Sequence, residues 1–126
     1  MAIQIAEQEN VDMLIVQLAA LLHDVDDVKL SPETHETKKN AVGFMKNNGV
    51  DEKVIASVCK IIDEVSFAGT DSVVPSTIEG KCVQDADRLD AMGAIGIART
   101  FAYSGSKGGR IHDPDIKPMT NMNKAD

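Results

Sequence analysis

A histidine and three aspartates directly follow an apolar segment in the stretch "ALLHDVDDVKL", residues 20–30. His23 and Asp24 are adjacent, and Asp27 lies four residues after His23, so a continuing helix would place Asp27 and His23 on one face. A buried imidazole needs a partner for each ring nitrogen. A hydrogen-bonded core histidine would meet that need as well as a chemical site would, so this stretch alone leaves both readings open.

A second acidic cluster lies far along the chain, in "QDADRLDAMG" at residues 84–93. On an amphipathic helix, Asp87 and Asp90 are three residues apart and face the same way, whereas Asp85 points elsewhere. Carboxylates on a buried helix face need a cation. Together with an imidazole they suggest a divalent metal with mixed nitrogen and oxygen ligands, such as manganese, magnesium, iron, cobalt or zinc. The alternative is that these aspartates form salt bridges with nearby basic groups, namely Lys29, Lys81 or Arg88.

The composition indicates that packed helices position these clusters. The chain has 126 residues, of which 43% are hydrophobic and only 3% are aromatic, with no Trp. A core of Ala, Val, Ile, Leu and Met suits helices better than a β-sandwich, so the predicted fold class is all-α. One domain of this length can bury a substantial core.

Apolar spacing and capping residues predict the helices themselves. A short helix ends near Glu9, and a central helix over residues 11–25 is apolar on nearly every face. Ser31 is predicted to cap a third helix that starts at Pro32 and reaches about residue 48. Asp51 caps a helix over residues 52–65, Thr77 or Ser76 caps one over 78–93, and a last helix covers 94–103. Residues 104–126 are predicted to be loop or tail, which gives a bundle of about five or six helices.

Charge and cysteine content exclude several classes of partner. The formal charge of −7 gives no electrostatic surface for a nucleic acid or an anionic membrane. The longest apolar stretch, residues 13–22, is too short to span a bilayer, and no leader pattern precedes it. Cys59 and Cys82 lie outside metal or redox spacing and are read as buried, reduced thiols rather than a disulfide. The predicted location is cytoplasmic.

The two acidic motifs and the segments around them resemble a known family. "LLHDVDD" followed by "QDADRLDAMGAIGIARTF" is similar to the HD-domain phosphohydrolase superfamily, in the branch of small bacterial HD proteins of the YpgQ and YedJ type. "VSFAG", "TIEGKCVQDADRLDA", "GAIGIARTFAY" and "GGRIHDPD" extend the resemblance over nearly the whole chain. It implies an all-α domain in which a His from an early helix, the His-Asp dipeptide and a distant Asp hold one divalent metal. The dipeptide falls on His23 and Asp24, and the distant Asp on Asp87.

The family's first ligand His lies ahead of the segment that matches residues 2–14, so this sequence holds no counterpart. We therefore expect residues 1–126 to be a single, partial HD domain, truncated at both ends. The missing ligand favours a second hypothesis, in which the domain is catalytically impaired and serves as a nucleotide-binding or dimerisation module. A third is a helical interaction protein whose His and Asp serve stability. Uncovered apolar faces of a shortened bundle would predict a homodimer.

The intact site would support phosphoryl chemistry. A divalent ion ionises water near neutral pH and polarises a phosphoryl oxygen, and a nearby carboxylate can accept the proton. Asp27 is the first candidate for that carboxylate and Asp90 the second. Charge on the phosphate needs further cations, for which the candidates are Lys29, Lys81 and Arg88, although each could equally form a surface salt bridge. By resemblance the substrates are nucleotides, with nucleoside triphosphates releasing pyrophosphate.

Two further histidines carry weaker signals. His35 could supply a fourth metal ligand. His112 and Asp113 repeat the His-Asp dipeptide, but Pro114 biases Asp113 towards extended backbone in a polar segment, so this pair is interpreted as a chance match.

Overall fold

The computed structural model describes residues 1–66, 72–117 and 120, and within them every regular element is an α-helix. The described helices are α1 (Ala2–Ala6), α2 (Met13–Leu22), α3 (Lys39–Asn47), α4 (Glu52–Val65), α5 (Ile78–Asp90) and α6 (Gly93–Ser106). The predicted fold class, an all-α bundle of about five or six helices, is confirmed. No described helix combines the length and the apolar character needed to cross a membrane.

Helices α1, α2, α4 and α5 form most of the core, and α3 adds the buried side chains of Ala41 and Met45. Helix α2 contacts α1, α4 and α5 and is the central helix, as predicted. It is not buried on all sides, because Leu14 and Leu21 are exposed. Helix α4 presents an apolar stripe at three- and four-residue spacing to the core. Helix α5 adds the buried side chain of Cys82 to the same core. The largest fully buried side chains include Val16, Val58, Ile61 and Val83.

Local capping explains where α4 and α5 begin. The Asp51 carboxylate accepts the amide of Lys53 at 2.8 Å, and the Thr77 hydroxyl accepts the amide of Gly80 at 3.1 Å. The predicted start of α4 is confirmed, and of the two candidates for α5 the cap is Thr77. Ser76 instead donates from its amide and its hydroxyl to Glu64 near the end of α4.

The third helix begins later than predicted. Residues 31–38 form successive turns, in which Ser31 O accepts the amides of Thr34 and His35 at 3.1 Å each. Helix α3 starts only at Lys39, because Lys38 adopts a left-handed conformation (φ 49°, ψ 40°) that a right-handed helix excludes. The prediction of a helix from Pro32 is wrong for this reason.

Two helix ends near the candidate residues also differ from prediction. Helix α2 ends at Leu22 with His23 as its C-cap, and the following residues form turns. His23 and Asp27 therefore lack the helical relationship that four-residue spacing suggested. Helix α6 continues to Ser106, so the first part of the segment expected to be loop from residue 104 is helical. Helix α5 ends at Asp90 and α6 begins at Gly93, whose φ is 73°, so Ala91 and Met92 form the break between them.

Candidate metal centre

His23 lies at the buried end of α2, in the position that sequence reasoning singled out. Its Nδ1 lies 3.0 Å from the carbonyl oxygen of Ala20. A carbonyl only accepts hydrogen bonds, so Nδ1 carries a proton, and in the corresponding Nδ1–H tautomer Nε2 presents a lone pair. Nε2 is buried and has no hydrogen-bond partner within the described structure. This orientation, with one ring nitrogen held by a backbone carbonyl and the other unpartnered, is typical of a metal-ligating histidine.

Two carboxylates face this nitrogen. Asp24 Oδ2 lies 3.4 Å from Nε2, and Asp87 Oδ1 lies 3.6 Å from it. Asp24 comes from the turn after α2, and Asp87 comes from α5, which packs beside α2. Two acidic oxygens and a lone pair repel one another unless a cation or an added proton lies among them. Ligand atoms about 2.1 Å from a common ion are themselves about 3.0–3.4 Å apart. The Asp24 separation of 3.4 Å falls at the end of that range, and the Asp87 separation of 3.6 Å is slightly longer.

The basic groups offered as structural partners do not neutralise these aspartates. Among residues 1–66, 72–117 and 120, the structure shows no ion pair for Lys29, Lys81 or Arg88, all of which are exposed. In the described ranges, salt bridges to these three residues therefore do not explain the acidic clusters, although Asp90 of the second cluster pairs with Arg99. The side chains of His23, Asp24 and Asp87 also do not form a complete coordination site. In the same ranges, no three His, Cys, Asp or Glu side chains are drawn together into a metal-coordination cluster.

The two carboxylates considered for proton transfer have other local partners. Asp27 Oδ1 accepts the backbone amide of Lys29 at 2.8 Å and so closes a small turn. Asp90 pairs with Arg99, whose Nη1 lies 3.1 Å from Asp90 Oδ2, and both side chains are exposed. Although Asp90 is three residues from Asp87, it pairs with Arg99 in the middle of α6 rather than with His23.

The buried carboxylate in this region belongs to Asp26, which sequence reasoning missed. It is only 4% exposed. Burial raises the pKa of this carboxyl, but hydrogen bonds from Thr34, Ala41 and Asn40 together lower it below the ordinary value. Nothing in the "DVDD" pattern marks Asp26 over its neighbours. Its donors come from a segment that was predicted to be continuous helix, so no local signal pointed to it.

The other two histidines and the two cysteines lie in the described part of the structure. His35 donates from Nδ1 to the backbone oxygen of Asp26 at 2.9 Å. Asp113, next to His112, accepts from Arg110 and from the amide of Asp115, each at 3.0 Å, so its contacts are local. Cys59 and Cys82 are free, and burial raises the pKa of both thiols.

A family model for the HD domain matches residues 1–92. The chain belongs to the HD domain family. Among curated HD relatives, it is 43% identical over 110 residues to the uncharacterized protein YpgQ of Bacillus subtilis, a match that covers 86% of this chain and 54% of YpgQ. The chain thus spans about half the length of this relative.

Solved structures of HD relatives agree. A Lactobacillus plantarum protein superposes with a TM-score of 0.79 at 36% identity, covering 98% of this chain and 57% of that one. The crystal structure of Bacillus subtilis YpgQ gives a TM-score of 0.69 at 43% identity, and its complex with ADP gives 0.70 at 42%. Each YpgQ match covers 90% of this chain and 58% of the other. The HD fold is therefore shared over nearly all of the chain.

Proposed function

We propose that this HD domain is a metal-dependent phosphohydrolase that acts on nucleotides. The observation that carries the proposal is the buried, unpartnered Nε2 of His23, which faces the carboxylates of Asp24 and Asp87. Membership of the HD family supports a metal-dependent hydrolase, and the ADP complex of YpgQ supports a nucleotide as ligand.

The residues present fit a divalent ion held by His23 Nε2, Asp24 Oδ2 and Asp87 Oδ1. Imidazole and carboxylate donors accommodate manganese, magnesium, iron, cobalt or zinc. When bound, such an ion supplies the acidity that ionises water near neutral pH and polarises a phosphoryl oxygen. Three protein ligands leave room for water and substrate in an octahedral site, and they imply weaker retention of the ion than a fuller ligand set would give.

The protein's own side chains would handle the proton and the phosphate charge. We assign the proton acceptor to Asp27 ahead of Asp90, because Asp90 would first have to leave Arg99. For Asp27, one oxygen is held by the amide of Lys29, which orients the other. Phosphate oxygens would be bound by three exposed cationic groups: Lys29, which follows the His23 turn, Arg88, which is next to Asp87, and Lys81, earlier on α5. In the proposed reaction water attacks the α-phosphorus of a nucleoside triphosphate, the bond to the β-phosphate oxygen breaks, and a nucleoside monophosphate and pyrophosphate are released.

A second candidate function is a catalytically impaired HD domain that binds nucleotides or dimerises. It is favoured by the lack, in the described residues, of a closed cluster of three potential ligands. Under this hypothesis nucleotide binding persists without turnover. We further propose a cytoplasmic location, which the two free cysteines support.

We also propose that the domain forms a homodimer through α6. Only Gly96 of this helix is buried, while Ile95, Ile97 and Phe101 are 73%, 60% and 47% exposed. Ile97 and Phe101 are four residues apart and share a face. An apolar helix face of this kind is usually covered by a partner.

The test combines metal binding with turnover. Mn²⁺ is titrated calorimetrically into chelator-stripped protein, and phosphate and pyrophosphate release is measured across nucleoside triphosphates. We expect wild type to bind Mn²⁺ and release pyrophosphate, and His23→Ala and Asp87→Ala to lose both. Equal release by wild type and both variants would exclude the phosphohydrolase. Nucleotide binding without release by wild type would support the impaired module instead.

A further inference from the structure

Helix α3 begins without a capping residue of its own. The residue before it is Lys38, whose backbone is left-handed and whose side chain makes no capping hydrogen bond. The Lys38 ammonium instead lies 2.6 Å from Asp63 Oδ1 on α4. The first amides of a helix lack partners within the helix and need acceptors from elsewhere. The amides of Asn40 and Ala41 must therefore find an acceptor outside α3.

Asp26 supplies that acceptor from a distance. Its Oδ2 accepts the amide of Ala41 at 2.9 Å, and its Oδ1 accepts the amide of Asn40 at 3.3 Å and the hydroxyl of Thr34. A carboxylate at this end of a helix is also favoured by the helix dipole. Asp26 thus acts as the N-cap of α3, although it precedes the helix by a whole turn segment.

The same residue belongs to the turn that carries His23 and Asp24. His35 holds the Asp26 carbonyl through Nδ1, so the backbone and the side chain of Asp26 are both fixed by the segment that leads into α3. Within the turn, Val25 N donates to Leu22 O at 3.2 Å, and Asp27 N donates to Asp24 O at 3.1 Å. The turn is therefore anchored at one end to α2 and at the other to α3.

We infer that Asp26 is a positioning residue, which holds the turn bearing His23 and Asp24 by capping α3. That His23 and Asp24 bind metal rests on the proposed function, but the anchoring of their turn does not. Ligand side chains hold their geometry only when their surroundings fix them, and loss of such support weakens metal binding about 10–100-fold.

Amide hydrogen exchange in metal-free protein tests the anchoring directly. In Asp26→Asn we expect exchange of the Asn40 and Ala41 amides and of the Val25 and Asp27 amides to accelerate about tenfold relative to the α4 core. The matched control is Asp51→Asn, the same change at the locally capped start of α4. Asp51 caps through one oxygen, which Asn keeps, so exchange at α4 and in the turn should stay near the wild-type rates. Acceleration confined to Asn40 and Ala41 in Asp26→Asn would overturn the inference.

Mn²⁺ titration of the same folded variants supplies the second readout. We expect Asp26→Asn to bind Mn²⁺ at least about tenfold more weakly than wild type, and Asp51→Asn to bind as wild type does. Equal affinity in Asp26→Asn and wild type would overturn the inference. Failure of wild type to bind Mn²⁺ would instead contradict the proposed function, and the exchange data would still decide the anchoring.

A milder variant covers the case in which Asp26→Asn does not fold. Thr34→Val removes one donor to the Asp26 carboxylate and leaves both capping amides in place. We expect the same turn amides to exchange faster by a smaller factor, at least about twofold. Unchanged exchange at Val25 and Asp27 in this variant would count against the inference.

Discussion

His23 Nε2 and Asp87 Oδ1 lie 3.6 Å apart, although they come from the end of α2 and the last part of α5. The packing of α2 on α5 brings them together, and the Ala20 carbonyl turns the ring so that its lone pair faces the carboxylate. An unpartnered acceptor facing a carboxylate is unfavourable unless a cation or a proton lies between them.

Asp87→Asn should weaken Mn²⁺ binding and leave the stability of the metal-free protein nearly unchanged. Without metal, the substitution removes one of two like charges near His23, and we expect unfolding free energy to change by less than about 0.5 kcal/mol. At a Mn²⁺ concentration of about 100 times Kd, wild type should gain about 2.7 kcal/mol, and Asp87→Asn should lose most of that gain.

Thermal unfolding with and without Mn²⁺ measures this difference. Asp85→Asn is the matched control, because Asp85 is exposed on the same helix and should keep the full gain. We expect Mn²⁺ binding to be weak, so submicromolar affinity of isolated monomer would contradict a three-ligand site. An equal metal-induced gain in all three proteins would place the ion elsewhere.

Glu64 should contribute to loss of stability in acid. The Ser76 amide lowers the pKa of this carboxyl below its ordinary value of 4.5, with further lowering from the Ser76 hydroxyl and Lys60 that outweighs desolvation. Because the folded pKa is depressed, the stabilisation is present above about pH 4.5 and disappears as pH falls through the folded value.

Urea unfolding of wild type and Glu64→Gln across this pH window checks the sign. The variant should be less stable than wild type near neutral pH, and the gap should close in acid. The control is Glu33→Gln, at an exposed glutamate in the turns before α3. A gap between wild type and Glu64→Gln that stays constant with pH would contradict the assignment.

Substitution of two helical glycines should have effects of opposite sign. A Cβ at Gly80 would lie 2.8 Å from Pro75 Cβ, so Gly80→Ala should push α5 away from the core and cost about 1–3 kcal/mol. A Cβ at Gly43 meets nothing within 4 Å, so Gly43→Ala in α3 should stabilise by about 0.5–1 kcal/mol. Chemical denaturation measures both, and a neutral Gly80→Ala would show that α5 can shift freely.

The dimer proposal predicts that one face of α6 controls self-association. Ile97→Asp places a charge on the apolar face, and we expect it to convert a concentration-dependent dimer into a monomer. Sedimentation equilibrium over a range of protein concentrations measures this. A wild-type monomer at every concentration would exclude the homodimer.

Local sequence signals predicted the helices whose capping residue directly precedes them. Asp51 and Thr77 each cap the helix that immediately follows, and the apolar spacing of α4 matches its buried face, so these starts were readable from neighbouring residues. Neighbouring residues did not predict the start of α3. Its first amides are capped by the distant Asp26, and the helix begins at Lys39 because Lys38 is left-handed. Helix propensity and a Ser-Pro pair favoured an earlier start, and tertiary hydrogen bonds overrode them.

The candidate site was predictable for a different reason. Periodicity placed Asp87 on a helix but did not say that it would meet His23; the family resemblance did. The spacing of His23 and Asp27 suggested a shared helix face, but α2 ends at Leu22 and their four-residue relationship is not helical. Spacing also gave no indication that Asp90 would turn to Arg99 across the break before α6.

The remote cap of α3 constrains the order in which this region assembles. A helix as short as Lys39–Asn47 is marginal in water, and here its first amides depend on a side chain from another segment. Helix α3 should therefore become stable only after α2 has formed and its trailing turn has folded back. The turn that carries His23 and Asp24 would thus gain its final shape late in folding, together with α3.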